Sequence, residues 1–320
     1  MMDNISLVEP NFIANYLEKK GIFIDIISVT PINLGASGAK LIDVTDRKGH
    51  YVIKHTDPSL RENDSNILSS YEREMEFYSL FQENISLPIP KVIYIERNSD
   101  YGSIIVFLYY KQIEFSIWNK DLLLKAIDFC AKLHSLDTNL IKRFGFQFKH
   151  ISPDSNELHN SLNEWHYVLN QHDGYFDKEI LNTIHKKFNS ICNILNSPPY
   201  NICHGDFHAN NILLDNEDIV VCDWQCVGIG KGAGDISFFI SRGKAEGIVM
   251  DEDNLIGYYC ERLSNYTKTE INKGDIYYVI NASTVFTSFM YWAYYLKNAD
   301  LNTVSEVYNK MINSFISLNF

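Results

Sequence analysis

The stretch NICHGDFHANNILLDNEDIVVCDWQ, residues 201–225, carries two short apolar runs, Ile212 to Leu214 and Ile219 to Asp223, separated by DNED. Runs of this length around an Asn/Asp turn predict a β-hairpin. Asp206 and Asn211 lie on the loop that enters it, and Asp223 stands where its second strand ends. Pairing the two strands therefore brings a carboxylate, an amide and a second carboxylate to one end of the hairpin. Oxygen donors without a dense thiolate set suit a hard cation such as Mg²⁺, which takes one or two carboxylates together with phosphate oxygens and water. Phosphoryl transfer uses such a set, with the metal among the phosphates and another carboxylate orienting the attacking hydroxyl.

Within the stretch, HGDFHANN places His204, Asp206 and Asn211 at the offsets of the protein-kinase catalytic loop H-R-D-x-x-x-x-N, with Gly205 in place of arginine. Upstream, Lys54 ends the strand YVIKH much as the lysine of V-A-I-K does. The following segment, Asn66 to Asn84, has Tyr71, Met75, Tyr78 and Phe81 at helical spacing and offers Glu74, with Glu72 as a rival, to pair with that lysine. NLGASGAK supplies a turn in which Gly35 and Gly38 allow close approach to phosphates. It does not fit the P-loop pattern, because its spacing is short and Leu41 follows the lysine.

The rest of the chain divides by pattern. Asn11 to Lys20 reads as a short helix closed by Gly21, and IFIDIISVTPI turns β-like. The segments KLIDV, HYVIKH, LPIPKVIYIE and GSIIVFLYY read as further strands, and the short connections among the first of them require antiparallel pairing. From Asp121 onward helical periodicity dominates, and DIYYVINASTVFTSFMYWAYYLK also reads as helix. An α+β chain of two lobes follows, cut between Tyr110 and Asn119, with residues 1–110 as the sheet lobe and 111–320 as the mostly helical one.

A formal charge of −12 disfavours a nucleic-acid partner, since no lysine and arginine cluster offsets it. The amino terminus lacks a basic start followed by an apolar core, and Ile104 to Tyr110 is too short to span a bilayer, so a cytoplasmic protein without membrane association is expected. Cys130, Cys192, Cys203, Cys222, Cys226 and Cys260 are scattered and read as reduced core thiols. The oligomeric state is not readable.

The blocks HGDFHANNILL, VVCDWQ, GAGDISFF, YVIKH and CAKLHSLD together resemble the aminoglycoside phosphotransferase and choline kinase superfamily, the small-molecule branch of the protein-kinase-like fold. The resemblance runs from Leu34 to Phe239. It implies a bilobal fold, ATP (or GTP) with Mg²⁺, and a small-molecule hydroxyl acceptor. Carried over residue by residue, Asp206 resembles the catalytic base, Asn211 and Asp223 the metal ligands, and Lys54 the phosphate contact paired with Glu74. Gly35, Ser37 and Gly38 resemble the loop over the phosphates, and Leu108 and Tyr110 the hinge that meets the base. DWQ departs from D-F-G, which leaves the roles of Trp224 and Gln225 open.

Competing readings stay on the table. His204 reads as a structural loop histidine and Asp235 as a helix N-cap or loop brace. Cys203, His204, His208, Cys222 and Cys226 form an inventory for zinc, but their spacings do not match a structural zinc site. The aromatic run Tyr277 to Tyr295 reads as helix core ahead of a cation-binding face. Acidic Glu246, Asp251, Glu252 and Asp253 either line an acceptor groove or form a solvated loop. A neutral sugar or other hydroxylated metabolite as acceptor, or a nucleotide-binding pseudokinase without turnover, are the alternatives to an aminoglycoside-like or amino-alcohol acceptor.

Overall fold

The structure is a computed structural model that describes residues 9–32, 39–57, 65–84, 86–98, 102–142, 145–148, 150–172 and 174–320, with only the backbone of 65–69, 82–84 and 98. Gly35, Ser37 and Gly38 lie outside the described residues. The chain forms two compact units, one of Met1–Phe129, His204–Val227 and Arg242–Val249, the other of Cys130–Cys203, Gly228–Ser241 and Met250–Phe320. These units interleave along the sequence, whereas the lobe division expected from the sequence is a single cut.

The first unit is built on strands β1 (Ser28–Ile32), β2 (Lys40–Thr45), β3 (His50–Thr56), β4 (Val92–Asn98) and β5 (Gly102–Leu108). They form one antiparallel sheet in the order β1-β2-β3-β5-β4. Period-two alternation assigns its faces. Ile42, Val44, Ile53, Ile104 and Val106 pack with Ile13, Ala14 and Leu17 of helix α1 (Pro10–Lys19), which Gly21 closes at φ 76°. Lys54, opposite Leu41 and Ile105, gathers instead with Tyr71 and Met75 of α2 (Ser65–Asn84). The β-like run Ile22–Ile32 is strand only from Ser28, because Asp25 takes a left-handed conformation and the Asp46 carboxylate draws in the Ile24 N–H at 2.8 Å.

Asp46 is 3% exposed and also accepts from the N–H groups of Lys48 at 2.7 Å and Gly49 at 2.9 Å, closing the β2–β3 turn. Asp46→Ala strands three backbone donors and should lower stability by about 2 to 3 kcal/mol, read as a shifted urea midpoint with unchanged slope.

The second unit is mostly helical: α4 (Asn139–Lys142), α5 (Ser155–Asn170), α6 (Glu179–Asn196), α8 (Glu252–Thr267), α9 (Lys273–Thr287), α10 (Ala293–Leu296) and α11 (Leu301–Ser317). Helices α3 (Lys120–His134) and α7 (Gly232–Ala245) complete the set among the described residues, and β7 (Asn201–Cys203) pairs with β10 (Gly228–Gly230). The apolar stripes of α5, α6, α9 and α11 share one core around Trp165, Phe188, Phe289 and Met311. Among the described residues no helix is long and apolar enough to cross a membrane.

Residues Ser288–Trp292 form a π-helical turn where the sequence reads as uninterrupted α-helix. Trp165 Nε1 donates to the carbonyls of Ser288 (3.2 Å) and Phe289 (3.1 Å), and Ser161 donates to that of Met290 (3.3 Å), so packing satisfies the turn. The extra residue splits the aromatic run. Phe289 is buried as expected of core, whereas Tyr291, Trp292, Tyr294 and Tyr295 are exposed, contrary to the core reading. Trp165→Phe keeps most of the ring and removes the donor, with an expected loss of about 2 kcal/mol by chemical denaturation.

Candidate active site

All the described candidate residues belong to the first unit. The hairpin forms as β8 (Ile212–Asp215) and β9 (Asp218–Val221), Ile212 facing Val221, with Asn216 left-handed in its two-residue turn. β6 (Lys111–Gln112) pairs with its outer edge, and the Gln112 amide donates to the Asn210 carbonyl at 3.2 Å. Pairing continues one step beyond the strands, since the Cys222 N–H donates to the Asn211 carbonyl at 2.9 Å. This step sets Asn211 beside the turn that bears Asp223.

On the entry loop, the Asn211 amide donates to the Asp206 carbonyl at 2.9 Å and lies 3.4 Å from Asp206 Oδ2. His204 is fully buried, donates from Nε2 to the Cys222 carbonyl at 2.9 Å and accepts the Asp206 N–H on Nδ1 at 3.2 Å. It braces the loop across the hairpin, the structural role read from the sequence. Gly205 sits at φ 81°, and a Cβ there would stand 2.3 Å from the Cys226 carbonyl oxygen. That contact is the physical reason for glycine where protein kinases carry arginine.

Lys54 Nζ lies 2.7 Å from Glu74 Oε2 and 2.8 Å from Asp223 Oδ1. Glu74 is 1% exposed and Glu72 exposed, so α2 presents Glu74 to the lysine. Burial by itself would drive the Lys54 pKa down, but the charges of Glu74 and Asp223 reverse this and hold the ammonium above its ordinary range. The other Glu74 oxygen accepts the Trp224 N–H at 3.3 Å, and the Trp224 ring stacks on Phe77 at 3.9 Å between centroids. Asp223 is left-handed at φ 65°, a conformation that persists only where neighbours over-determine it, as Lys54 and the clamped Trp224 do here. Trp224 is thus an anchor that sequence reasoning missed, although its position directly after Asp223 is the available sign.

Leu108 and Tyr110, expected at the hinge, are partly committed. The Leu108 N–H donates to the Lys91 carbonyl at 3.0 Å, and the Tyr110 hydroxyl accepts the Lys91 N–H at 3.1 Å. Among the described residues the zinc inventory Cys203, His204, His208, Cys222 and Cys226 does not assemble. His204 is engaged with Cys222 through the backbone, Cys226 is exposed, and all six cysteines are free thiols. In the second unit Cys203 groups instead with His134 and Asp235, where His134 is bonded to Tyr259 at 2.8 Å and to Asp235 at 3.2 Å. Asp235 lies inside the first turn of α7 rather than at its N-cap, and it braces by way of His134.

The donors around the hairpin fit a magnesium ion. The Asn211 amide nitrogen is tied to Asp206, which turns its oxygen the other way, and Lys54 takes only one Asp223 oxygen. What remains is one amide and one carboxylate oxygen beside a buried cation.

Among curated protein sequences none matches the chain. Solved structures share the fold. The GDP complex of wild-type aminoglycoside 2'-phosphotransferase-IIIa aligns at TM-score 0.59 and 14% identity, covering 98% of this chain and 100% of that one. Choline kinase from Cryptosporidium parvum Iowa II aligns at 0.57 and 12%, covering 97% and 96%, and macrolide 2'-phosphotransferase MphH from Brachybacterium faecium at 0.58 and 10%, covering 93% and 97%. The antiparallel sheet with its lysine, followed by the mostly helical part, is therefore a kinase-like fold. The family model described as the phosphotransferase enzyme family matches residues 28–269, which take in the lysine strand, the hairpin and its entry loop, and the chain belongs to that family of enzymes.

Proposed function

We propose that the protein is an ATP- or GTP-dependent O-phosphotransferase that moves the γ-phosphoryl group to a hydroxyl of a small molecule. The observation that carries this reading is the buried Lys54 held between Glu74 and Asp223, one residue beyond the Cys222 N–H that bonds to Asn211. Asp206 orients the acceptor hydroxyl and takes its proton as the new O–P bond forms and the bond to the leaving diphosphate breaks. Lys54 neutralises phosphate charge, Glu74 fixes its direction, and Trp224 fixes Glu74. Asn211 and Asp223 would hold Mg²⁺, which supplies charge neutralisation among the phosphates. Leu108 would meet the base through its carbonyl or side chain, since its N–H is engaged. Gly35, Ser37 and Gly38 keep their proposed place over the phosphates on the resemblance alone.

The acceptor class proposed is an aminoglycoside-like antibiotic or amino alcohol, supported by the acidic chain and by the solved neighbours named for such acceptors. Diphosphate release with Mg²⁺ across aminoglycosides, cyclitols, choline analogues, amino alcohols and neutral sugars tests this. Turnover with an amine-bearing acceptor is the expected result. Turnover with neutral sugars alone replaces the acceptor class, and absence of binding to magnesium nucleotide by calorimetry sinks the reading.

A further inference from the structure

His208, two residues after the proposed base, is unassigned by the reading above. Its side chain is 14% exposed, and Nε2 lies 3.6 Å from Asp206 Oδ2 and 3.3 Å from Asn211 Nδ2. The same Asp206 oxygen lies 3.4 Å from Asn211 Nδ2, so one carboxylate oxygen faces both side chains. The Asp206 side chain is itself 39% exposed. The terminal torsion of an aspartate is broad and soft, so a half-exposed carboxylate held only by its backbone would sample many directions. Proton transfer from an acceptor hydroxyl needs one direction.

We propose that His208 is a positioning residue for the transfer step: by accepting from the Asn211 amide it fixes the donor that faces Oδ2 of Asp206, so that Oδ1 is the oxygen presented to the acceptor hydroxyl. The proposal rests on the transferase reading. Nε2 of His208 lies at hydrogen-bond distance from the Asn211 amide nitrogen, which can only donate, so the ring accepts there and fixes the amide. The same amide nitrogen reaches the Asp206 carbonyl at 2.9 Å and Oδ2 at 3.4 Å. The role belongs to the Nε2 position specifically. A glutamine side chain places its amide near that position, whereas an asparagine side chain reaches only to the position of Nδ1.

Three variants, His208→Ala, His208→Gln and His208→Asn, test this by steady-state kinetics with the best acceptor of the panel, or by slow hydrolysis of ATP if water is the only acceptor used. His208→Ala and His208→Asn should lose roughly tenfold in kcat with KM for the nucleotide within about twofold, and His208→Gln should recover to within about threefold of wild type. Thermal melting accompanies each measurement. An unchanged kcat in His208→Ala overturns the proposal, as does an equal loss in the Gln and Asn variants accompanied by a parallel fall in melting temperature. A wild-type chain that binds magnesium nucleotide yet releases no diphosphate in any arm overturns the transferase reading itself.

Discussion

Asp206→Ala should reduce phosphotransfer by on the order of 10² to 10⁴ while leaving nucleotide affinity within about threefold of wild type. The two effects separate because the residues that would meet the phosphates are held independently of this side chain. Lys54 pairs with both Glu74 and Asp223, and Asn211 keeps its bond to the Asp206 backbone carbonyl, which alanine retains. Burial alone would raise the Asp206 pKa, but the neighbouring His208 and the Asn211 amide outweigh it and hold the carboxyl below its ordinary range. The Asp206 carboxyl therefore stays ionised as pH falls until the pH lies below the usual aspartate value. Diphosphate release and calorimetric titration with magnesium nucleotide provide the two readings. Turnover above a tenth of wild type would remove Asp206 from the role of base.

Gly205→Ala should cost on the order of 4 kcal/mol or more and abolish activity in whatever fraction folds. A left-handed conformation costs a non-glycine residue roughly 1 to 2 kcal/mol. The larger part comes from overlap: the added carbon would stand 2.3 Å from the Cys226 carbonyl oxygen and 2.9 Å from the Cys226 Cβ. Neither is the far end of a flexible side chain, so the loop bearing Asp206 or the turn after Asp223 must move. Urea denaturation and diphosphate release check the two halves. A Gly205→Ala chain of near-native midpoint and turnover would show that the loop yields freely.

The active site was legible where its chemistry is local. HGDFHANN and the hairpin place Asp206, Asn211 and Asp223 within a short span, and strand and turn propensities suffice to pair the strands that carry them. Glu74 and Glu72 could not be separated from sequence, because the choice depends on how α2 is rotated over the sheet. The Trp224 anchor needs Phe77 and Glu74 of a distant helix, and the His134–Asp235 brace joins residues 101 apart. Hydrophobic periodicity carries no sign of the π-turn, since the decision lies with Trp165 on another helix. β1 starts later than its β-like run for a similar reason: Asp46, beyond the next strand, bends the chain at Ile24.

The Lys54–Asp223 pair joins residues 169 apart. At ribosomal speeds of about 5 to 20 residues per second, roughly ten to thirty seconds separate the emergence of the ammonium from that of its second carboxylate. A nascent chain thus carries Lys54 with Glu74 alone for that interval, and the three-residue charge cluster is a late product of synthesis that no amino-terminal fragment lacking Asp223 can assemble.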